Sequence, residues 1–129
     1  MKIAISSQGE SLEAMVDPRF GRCAYFIIYD SETKKAESWP NPASQATGGA
    51  GILAAQMAVD NHVEVVITGN AGPNAFQTLS QANIKIYGGA SGTVKDSLEK
   101  FENGQLNQLS GSSVPRHFGM GQDKGGSKK

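Results

Sequence analysis

Residues 63–87 read "VEVVITGNAGPNAFQTLSQANIKIY", two apolar runs separated by a more polar stretch. The runs at 63–68 and 84–87 are rich in β-branched residues and predict buried strands. The intervening residues 75–82 predict a helix, and Pro73 suits the first turn of a helix. A strand-helix-strand unit of this kind predicts two parallel strands joined by a right-handed crossover. The chain is therefore expected to have an α/β fold.

The rest of the chain adds strands and helices around this unit. A polar turn separates two of the strands, so these two are expected to form a hairpin. The last helix has Thr93 as a candidate N-cap, with Asp96 three residues later. The additional strands are predicted at 2–6, 24–30 and 36–39, and the additional helices at 50–62 and 93–104. Together these elements predict a three-layer α/β sandwich with a mixed sheet of about five strands.

The helix predicted at 50–62 carries an apolar stripe. Ile52, Ala55 and Val59 fall on one face of this helix, and Leu53 lies next to them. Apolar residues at this spacing mark the side of a helix that packs on a core. We therefore expect the stripe to face the sheet.

Length and charge limit the domain organisation and the partners. The chain has 129 residues, which fits one domain, predicted at 1–106. Residues 107–129 are rich in Gly, Ser and Lys and predict a flexible tail. Lys plus Arg and Asp plus Glu number 12 each, so the net charge is zero. No global field attracts nucleic acid or a membrane surface, and neither partner is expected.

The sequence also indicates a compartment. The apolar stretch at the N-terminus is too short for a signal peptide, and no apolar run approaches the roughly 20 residues of a membrane span. The single cysteine excludes an internal disulfide and suits a reducing environment. A cytoplasmic protein is the expectation.

Glycine-rich segments precede each of the three predicted helices, at 48–51, 69–74 and 88–92. In an open α/β sheet, ligands bind outside the carboxyl ends of the parallel strands, where such segments meet. Free backbone N–H groups at a helix start favour an anion. The alternative is that the glycines only form tight turns. The first segment is not a phosphate-binding P-loop, because no Gly-Lys-Ser/Thr follows it.

The segment "DPRFGRC" at 17–23 adds two guanidinium groups, those of Arg19 and Arg22, which suit anions. The alternative is that Arg19 forms a solvated surface pair with Asp17, which would contribute little. Cys23 is either a small buried hydrophobe or a thiolate ligand assisted by the neighbouring arginine.

Several catalytic and metal-binding signatures are missing from the sequence. There is no Cys-x-x-Cys, no His-x-x-x-His and no nucleophile elbow. His117, in the predicted tail, is a weak candidate for a metal ligand. Asp17 is the only acid close to the suspected site, so acid–base catalysis is poorly supported and the protein is not expected to be an enzyme.

Four segments together resemble the dinitrogenase iron-molybdenum cofactor biosynthesis family, as a small stand-alone member. The resemblance covers residues 1 to 109. It is carried by "DPRFGRCAYFIIYD", "GGAGILAAQ" with Asn41 upstream, "VVITGNAGPNAFQTL" and "IKIYGGASGTVKDSLEKFENGQL". The resemblance implies a ribonuclease H-like fold without nuclease activity, because the metal-binding carboxylates of a nuclease are missing. It also implies non-catalytic binding of an iron-sulfur or molybdenum-containing cluster.

The resemblance assigns roles to particular residues. Such clusters are anionic, so arginines would neutralise charge and amides near the glycines would donate hydrogen bonds. Cys23 stands where relatives often have alanine, so its role as a candidate iron ligand does not transfer. The cofactor-binding residues expected from the family and from the glycine pattern are Arg19, Phe20, Gly21, Arg22, Gly49, Gly51, Gly69, Asn70 and Gly72.

Three functions follow from these observations. The first is a carrier or assembly protein for a metal-sulfur cluster, with the proteins that donate or receive the cluster as partners. The second is a protein that binds a small phosphorylated molecule through the same helix starts. The third is a protein-interaction module without a ligand.

Overall fold

The computed structural model describes residues 1–111. The chain forms six strands and three helices in the order β1, β2, β3, α1, β4, α2, β5, α3, β6. The strands are β1 Lys2–Ser7, β2 Tyr25–Asp30, β3 Lys35–Pro40, β4 Val65–Ile67, β5 Lys85–Gly88 and β6 Asn107–Gln108. The helices are α1 Ala50–Asp60, α2 Pro73–Gln81 and α3 Val94–Glu102.

The strands form one mixed sheet in the order β3-β2-β1-β4-β5-β6. Strand β4 is parallel to both β1 and β5, whereas β2, β3 and β6 run antiparallel to their neighbours. This arrangement confirms the predicted α/β class, the β4-α2-β5 unit and the β2-β3 hairpin. The prediction of about five strands is one short, because β6 is a strand of only two residues with no apolar pattern to reveal it.

Strand β6 lies inside the segment that the sequence predicted as a tail. Asn107 and Gln108 pair with the end of β5 at the edge of the sheet. The next residue, Leu109, donates its N–H to the carbonyl of Ile86 at 2.7 Å and packs its side chain against the core. Ordered chain therefore continues past the predicted boundary at 106. The rest of the predicted tail, with His117, lies outside the described residues.

Two hydrophobic cores cover the two faces of the sheet. Alternate residues of β1 point to opposite sides, so Ala4 belongs to one core and Ile3 and Ile5 belong to the other. Helices α1 and α2 supply the first core, with Ala54 and Leu79 among its members. Helix α3 supplies the second. The predicted three-layer arrangement is therefore confirmed.

The buried face of α1 agrees with the predicted stripe only in part, because Ala55 is buried and Val59 packs against the first core but Ile52 does not. The buried residues of this helix are all alanines, at positions 50, 54, 55 and 58. Ile52 and Leu53 are instead 43% and 49% exposed. Small side chains let α1 approach α2 closely, so this helix packs through its alanines and presents two larger apolar residues outward.

Helix α3 begins with the predicted cap. The hydroxyl of Thr93 accepts a hydrogen bond from the N–H of Asp96 at 3.0 Å, and the carboxylate of Asp96 accepts one from the N–H of Thr93 at 3.1 Å. These reciprocal bonds form a capping box. The hydrogen bond from the backbone of Thr93 lowers the pKa of Asp96. Within residues 1–111, no helix is long and apolar enough to cross a membrane.

Candidate functional site

A pocket of about 450 Å³ opens where α1 and α2 begin. We call it the helix-start pocket. Two arginines line it, and no Asp or Glu is among the described residues of its wall. A cavity with this lining favours a negatively charged occupant. Its lining residues are Arg19, Phe20, Gly21, Arg22, Gly49, Ala50, Gly51, Ile52, Asn70, Gly72, Pro73, Asn74 and Ala75.

Both helices present uncapped N-termini to this pocket. In α1 the first backbone bond runs from the N–H of Leu53 to the carbonyl of Gly49, at 3.0 Å. In α2 the corresponding bond runs from Phe76 to Gly72, at 2.9 Å. Neither helix has a side-chain cap or an acidic residue in its first turn. The first-turn N–H groups and the partial positive charge of two helix ends are therefore available to an anion.

Close backbone packing builds the wall between the two helix starts. A Cβ on Gly21 would lie 2.8 Å from the nitrogen of Gly51, so only glycine allows this approach. A Cβ on Gly51 would lie 3.2 Å from the Cβ of Ala75 on α2. The N-cap residue Gly49 has φ of 70°, the left-handed region that favours glycine. These glycines set the width of the pocket.

Gly69 occupies a different place from the one predicted. It does not line the helix-start pocket, although it belongs to the same glycine-rich segment as Asn70 and Gly72. A Cβ on Gly69 would lie 2.6 Å from the Cα of Pro18, so this glycine lets two backbone segments touch. Its role is to bring the arginine-bearing segment against the end of β4.

That contact is fixed by backbone hydrogen bonds. The N–H of Asn70 donates to the carbonyl of Pro18 at 2.7 Å, and the N–H of Phe20 donates to the carbonyl of Asn70 at 3.3 Å. Arg19 and Asn70 form an isolated parallel bridge between these two bonds. The segment 17–23 is thereby held beside the start of α2.

The third glycine-rich segment, 88–92, is not part of the site. It leads into α3, which packs on the opposite face of the sheet from α1 and α2. None of its residues lines the helix-start pocket. The N-terminus of α3 is also satisfied by the Thr93–Asp96 capping box. The expectation that three helix starts converge is therefore wrong, and two converge.

Arg19 and Asp17 form a partly buried pair rather than the solvated surface pair considered from the sequence. The side chain of Asp17 is only 4% exposed, whereas that of Arg19 is 65% exposed. Arg19 donates from Nε to Oδ1 and from Nη2 to Oδ2 of Asp17, each at 3.1 Å. The N–H of Arg19 also donates to Oδ1 at 2.9 Å. Hydrogen bonding to Asp17 raises the pKa of Arg19 above its ordinary value.

Arg22 has a different environment. Its Nη1 donates to the carbonyl of Ala46 in the loop before α1. Within residues 1–111 it forms no ion pair. The side-chain amide of Asn41 donates to the carbonyls of Gly21 and Cys23 at 3.1 and 2.9 Å, which clamps the backbone on either side of Arg22. Arg22 is thus held at the pocket with its charge uncompensated.

Cys23 lies beneath the site and does not line it. Its side chain is fully buried, and its thiol donates to the carbonyl of Phe20 at 3.3 Å. Burial raises the pKa of Cys23 to about 12, which disfavours the thiolate that a metal requires. No group of three or more His, Cys, Asp or Glu in residues 1–111 is arranged to hold a metal ion. The geometry therefore supports the buried-hydrophobe interpretation of Cys23.

The structure brings most of the predicted site residues together. Eight of the nine lie in the wall of the helix-start pocket: Arg19, Phe20, Gly21, Arg22, Gly49, Gly51, Asn70 and Gly72. Asn74 and Ile52 also line the pocket and were not predicted from the sequence. The position of Asn74 in the first turn of α2 was a usable signal. The exposure of Ile52 could not be predicted, because its spacing in the sequence is typical of a helix residue that faces the core.

The fold and the pocket define a small α/β protein with an electropositive cavity at two helix starts. Residues 1–104 match the family described as dinitrogenase iron-molybdenum cofactor. Because this match spans most of the chain, the protein belongs to that family.

Solved structures of similar proteins share the fold. The apo form of the orange protein from Desulfovibrio gigas is 38% identical, covers 88% of this chain and 96% of its own, and superposes with a TM-score of 0.84. A NifB-like protein from Thermotoga is also 38% identical, covers 91% of this chain and 98% of its own, and has a TM-score of 0.77.

Among sequence relatives, an uncharacterised protein of Methanocaldococcus jannaschii is 29% identical over 112 residues, covering 84% of this chain and 92% of its own.

Proposed function

We propose that this protein is a non-catalytic carrier or assembly protein for an anionic iron-sulfur or molybdenum-containing cluster. The cluster is the cargo, and it occupies the helix-start pocket. The observation that carries the proposal is the lining of that pocket by Arg19 and Arg22 with no described acidic residue. Membership of a family named for the dinitrogenase iron-molybdenum cofactor supports the choice of cargo.

The chemistry of the wall suits a sulfide-rich or oxo anion. Backbone N–H groups at the starts of α1 and α2 donate hydrogen bonds to sulfide or oxo groups, and the helix dipoles add partial positive charge. The guanidinium groups neutralise the charge of the cluster. Gly49, Gly51 and Gly72 keep side chains out of the way of these amides. Phe20 and Asn70 complete the wall between the helix starts.

Non-covalent binding suits a carrier better than ligation by the protein. The buried thiol of Cys23 does not reach the pocket, so the cargo is held by charge and hydrogen bonds. Such a cargo leaves without the breaking of a metal–thiolate bond. A protein that donates or receives the cluster approaches the mouth of the pocket, where Ile52 is exposed.

Anaerobic reconstitution tests this function. The full chain is incubated with iron, sulfide and molybdate, passed through gel filtration, and analysed for metal content and visible absorbance. We expect the wild type and a Cys23→Ala variant to retain metal. An Arg19→Gln/Arg22→Gln double variant should lose it. Lys85→Gln, which removes an exposed charge away from the pocket, is the matched control.

Two results would contradict the proposal. Retention of equal metal by the double arginine variant would show that the pocket does not hold the cargo. Loss of metal in Cys23→Ala alone would show thiolate ligation instead.

A thermal-shift screen with nucleotides and inorganic phosphate addresses the second candidate, a phosphorylated ligand, which the same helix starts could hold. A large shift with a nucleotide and no metal retention would favour that candidate.

A further inference from the structure

We propose that the two pocket arginines have separate tasks. Arg22 supplies the net positive charge that holds an anionic cargo. Arg19 is a positioning residue whose charge is balanced by Asp17, and Asp17 thereby limits how tightly the cargo is bound. This inference rests on the proposed function, because it concerns the same pocket.

Asp17 engages the guanidinium of Arg19 along one edge. A guanidinium has five N–H donors in a planar fork. Two donor atoms of Arg19, Nε and Nη2, each contact a different oxygen of Asp17 at 3.1 Å. The side-on edge of the guanidinium, formed by Nε and Nη2, is thus already occupied, and the N–H groups of Nη1 and the second N–H of Nη2 are left. An incoming anion meets only the remaining N–H groups of Arg19.

Asp17 lies beside the helix-start pocket but outside its wall. A neighbouring polar pocket of about 550 Å³ lies beside the helix-start pocket, and both arginines line both cavities. Asp17 lines the neighbouring pocket and not the helix-start pocket. The carboxylate therefore engages Arg19 from the side away from the cargo. It neutralises the charge of Arg19 without placing an acidic group in the wall that faces the cargo.

Arg22 differs from Arg19 because it has no acidic partner within residues 1–111. The guanidinium of Arg22 donates a hydrogen bond to the backbone carbonyl of Ala46, which is neutral. Hydrogen bonding to a carbonyl orients the guanidinium without cancelling its charge. The backbone on both sides of Arg22 is clamped by the buried amide of Asn41. Of the two arginines, Arg22 is therefore the one whose full charge is available to the pocket.

Removal of Arg19 would leave the buried carboxylate of Asp17 without its ion-pair partner. Asp17 is 3% exposed, and its recorded side-chain partners are groups of Arg19. Removing one partner of a buried pair leaves the other charge without compensation and destabilises the fold. Loss of Arg19 is thus expected to lower stability more than affinity. Loss of Arg22, which is exposed, is expected to do the reverse.

Nuclear magnetic resonance titration of the full 15N-labelled chain with sodium molybdate tests the inference. The amides of Gly49, Gly51, Gly72 and Asn74 report binding in the helix-start pocket. We compare the wild type with Arg22→Gln, Arg19→Gln and Asp17→Asn, with Lys85→Gln as the control. Chemical denaturation of each variant measures the free energy of unfolding in parallel.

The expected results differ clearly between the variants. Because a hydrogen bond to a charged group contributes substantially to binding, Arg22→Gln should raise the dissociation constant about tenfold or more. Arg19→Gln should raise it less than about threefold while lowering stability. Asp17→Asn should lower the dissociation constant, because it releases the charge of Arg19. Where Arg19→Gln does not fold, Asp17→Asn/Arg19→Gln replaces the buried ion pair with two neutral amides and is measured instead.

Different outcomes would overturn different claims. An affinity loss for Arg19→Gln, or for the double variant, equal to that of Arg22→Gln would overturn the division of tasks. So would unchanged or weaker binding in Asp17→Asn. In either case, molybdate-dependent shifts at the pocket amides of the wild type would leave the proposed function standing. Absence of those shifts in the wild type would instead contradict the proposed function itself.

Discussion

Gly69 and Gly21 are single positions on which the shape of the site depends. At each of them a side chain would collide with backbone of a neighbouring segment, as the distances of 2.6 Å to Pro18 and 2.8 Å to Gly51 show. Backbone cannot move aside as a flexible side chain can. The role of both glycines is therefore steric, whether or not they also face a ligand.

Replacement of Gly69 by alanine should destabilise the protein. The added Cβ overpacks the contact with Pro18, so we expect a loss of about 1–3 kcal/mol in the free energy of unfolding. Chemical denaturation measures this loss. Gly48→Ala is the matched control, because a Cβ at Gly48 meets nothing within 4 Å, and its stability should be unchanged or slightly raised. Equal losses for the two variants would contradict the steric role of Gly69.

Because Cys23 is buried, we expect the stability of the protein to fall at alkaline pH. The folded pKa of Cys23 is raised to about 12 from an ordinary value of 9.0, because burial disfavours the thiolate. The stability associated with the protonated thiol is therefore fully present below pH 9 and is lost as pH rises toward 12. In this range the free energy of unfolding of the wild type should fall more steeply than that of Cys23→Ala. Parallel pH profiles of the two proteins would show that Cys23 does not titrate as described.

At the scale of the elements, α1 and α2 differ from α3 in how their N-termini are satisfied. The first two follow glycine N-cap residues and have no side-chain cap, whereas α3 has the Thr93–Asp96 capping box. Uncapped helix starts that face a cavity suit a ligand, and a capped start on the other face suits stability alone. The N-termini of α1 and α2 are thus open to the pocket, whereas that of α3 is satisfied within the protein.

Loss of the cap should weaken α3 without affecting the pocket. Thr93→Ala removes the hydroxyl that accepts from the N–H of Asp96, and such a change typically costs about 1 kcal/mol. Thr33→Ala, in the exposed turn between β2 and β3, is the control and should be neutral. Urea denaturation measures both. A similar stability for the two variants would mean that the cap contributes nothing to the fold.

The elements also show what the sequence could predict. The β4-α2-β5 unit, the hairpin and the cap of α3 follow from local patterns, and the structure confirms them. The face that a helix covers is not a local property. Strand β1 has apolar residues on both faces, so nothing in it distinguishes the side of α1 and α2 from the side of α3. For this reason the prediction from the sequence included the start of α3 in the site, although α3 lies on the other face of the sheet.

Burial of single polar residues was equally hard to predict. Asp17 precedes a proline in a segment that reads as an exposed turn. Its burial depends on distant residues, because the N–H of Asp17 donates to the carbonyl of Ser6 at 3.0 Å and the hydroxyl of Ser6 donates to the carbonyl of Asp17 at 2.7 Å. The residue types lining the site were predictable from glycine and arginine motifs. The ion pair between Asp17 and Arg19, which balances the charge of Arg19, was not predictable from these motifs.

At the scale of the whole molecule, one sheet is shared by two cores. Each buried strand contributes side chains to both, so loss of either core exposes the same strands. The single tryptophan, Trp39, lies on the edge strand β3 and packs against the core that α1 and α2 cover. The two cores are therefore expected to unfold together.

Unfolding should accordingly be two-state. The urea transition followed by Trp39 fluorescence should coincide with the transition followed by far-ultraviolet circular dichroism. A core substitution on the α3 side, Leu98→Ala, should shift both transitions equally, although Trp39 packs on the other side. Separate midpoints for the two signals would show that the cores are independent units.

The position of α3 has a practical consequence. Because this helix lies behind the sheet, its exposed residues Lys95 and Glu99 face away from the cavity. A dye or a surface tether attached at Glu99 would leave the mouth of the cavity open. Immobilisation through this rear side would therefore leave the cavity free for titration with the anions that it is proposed to bind.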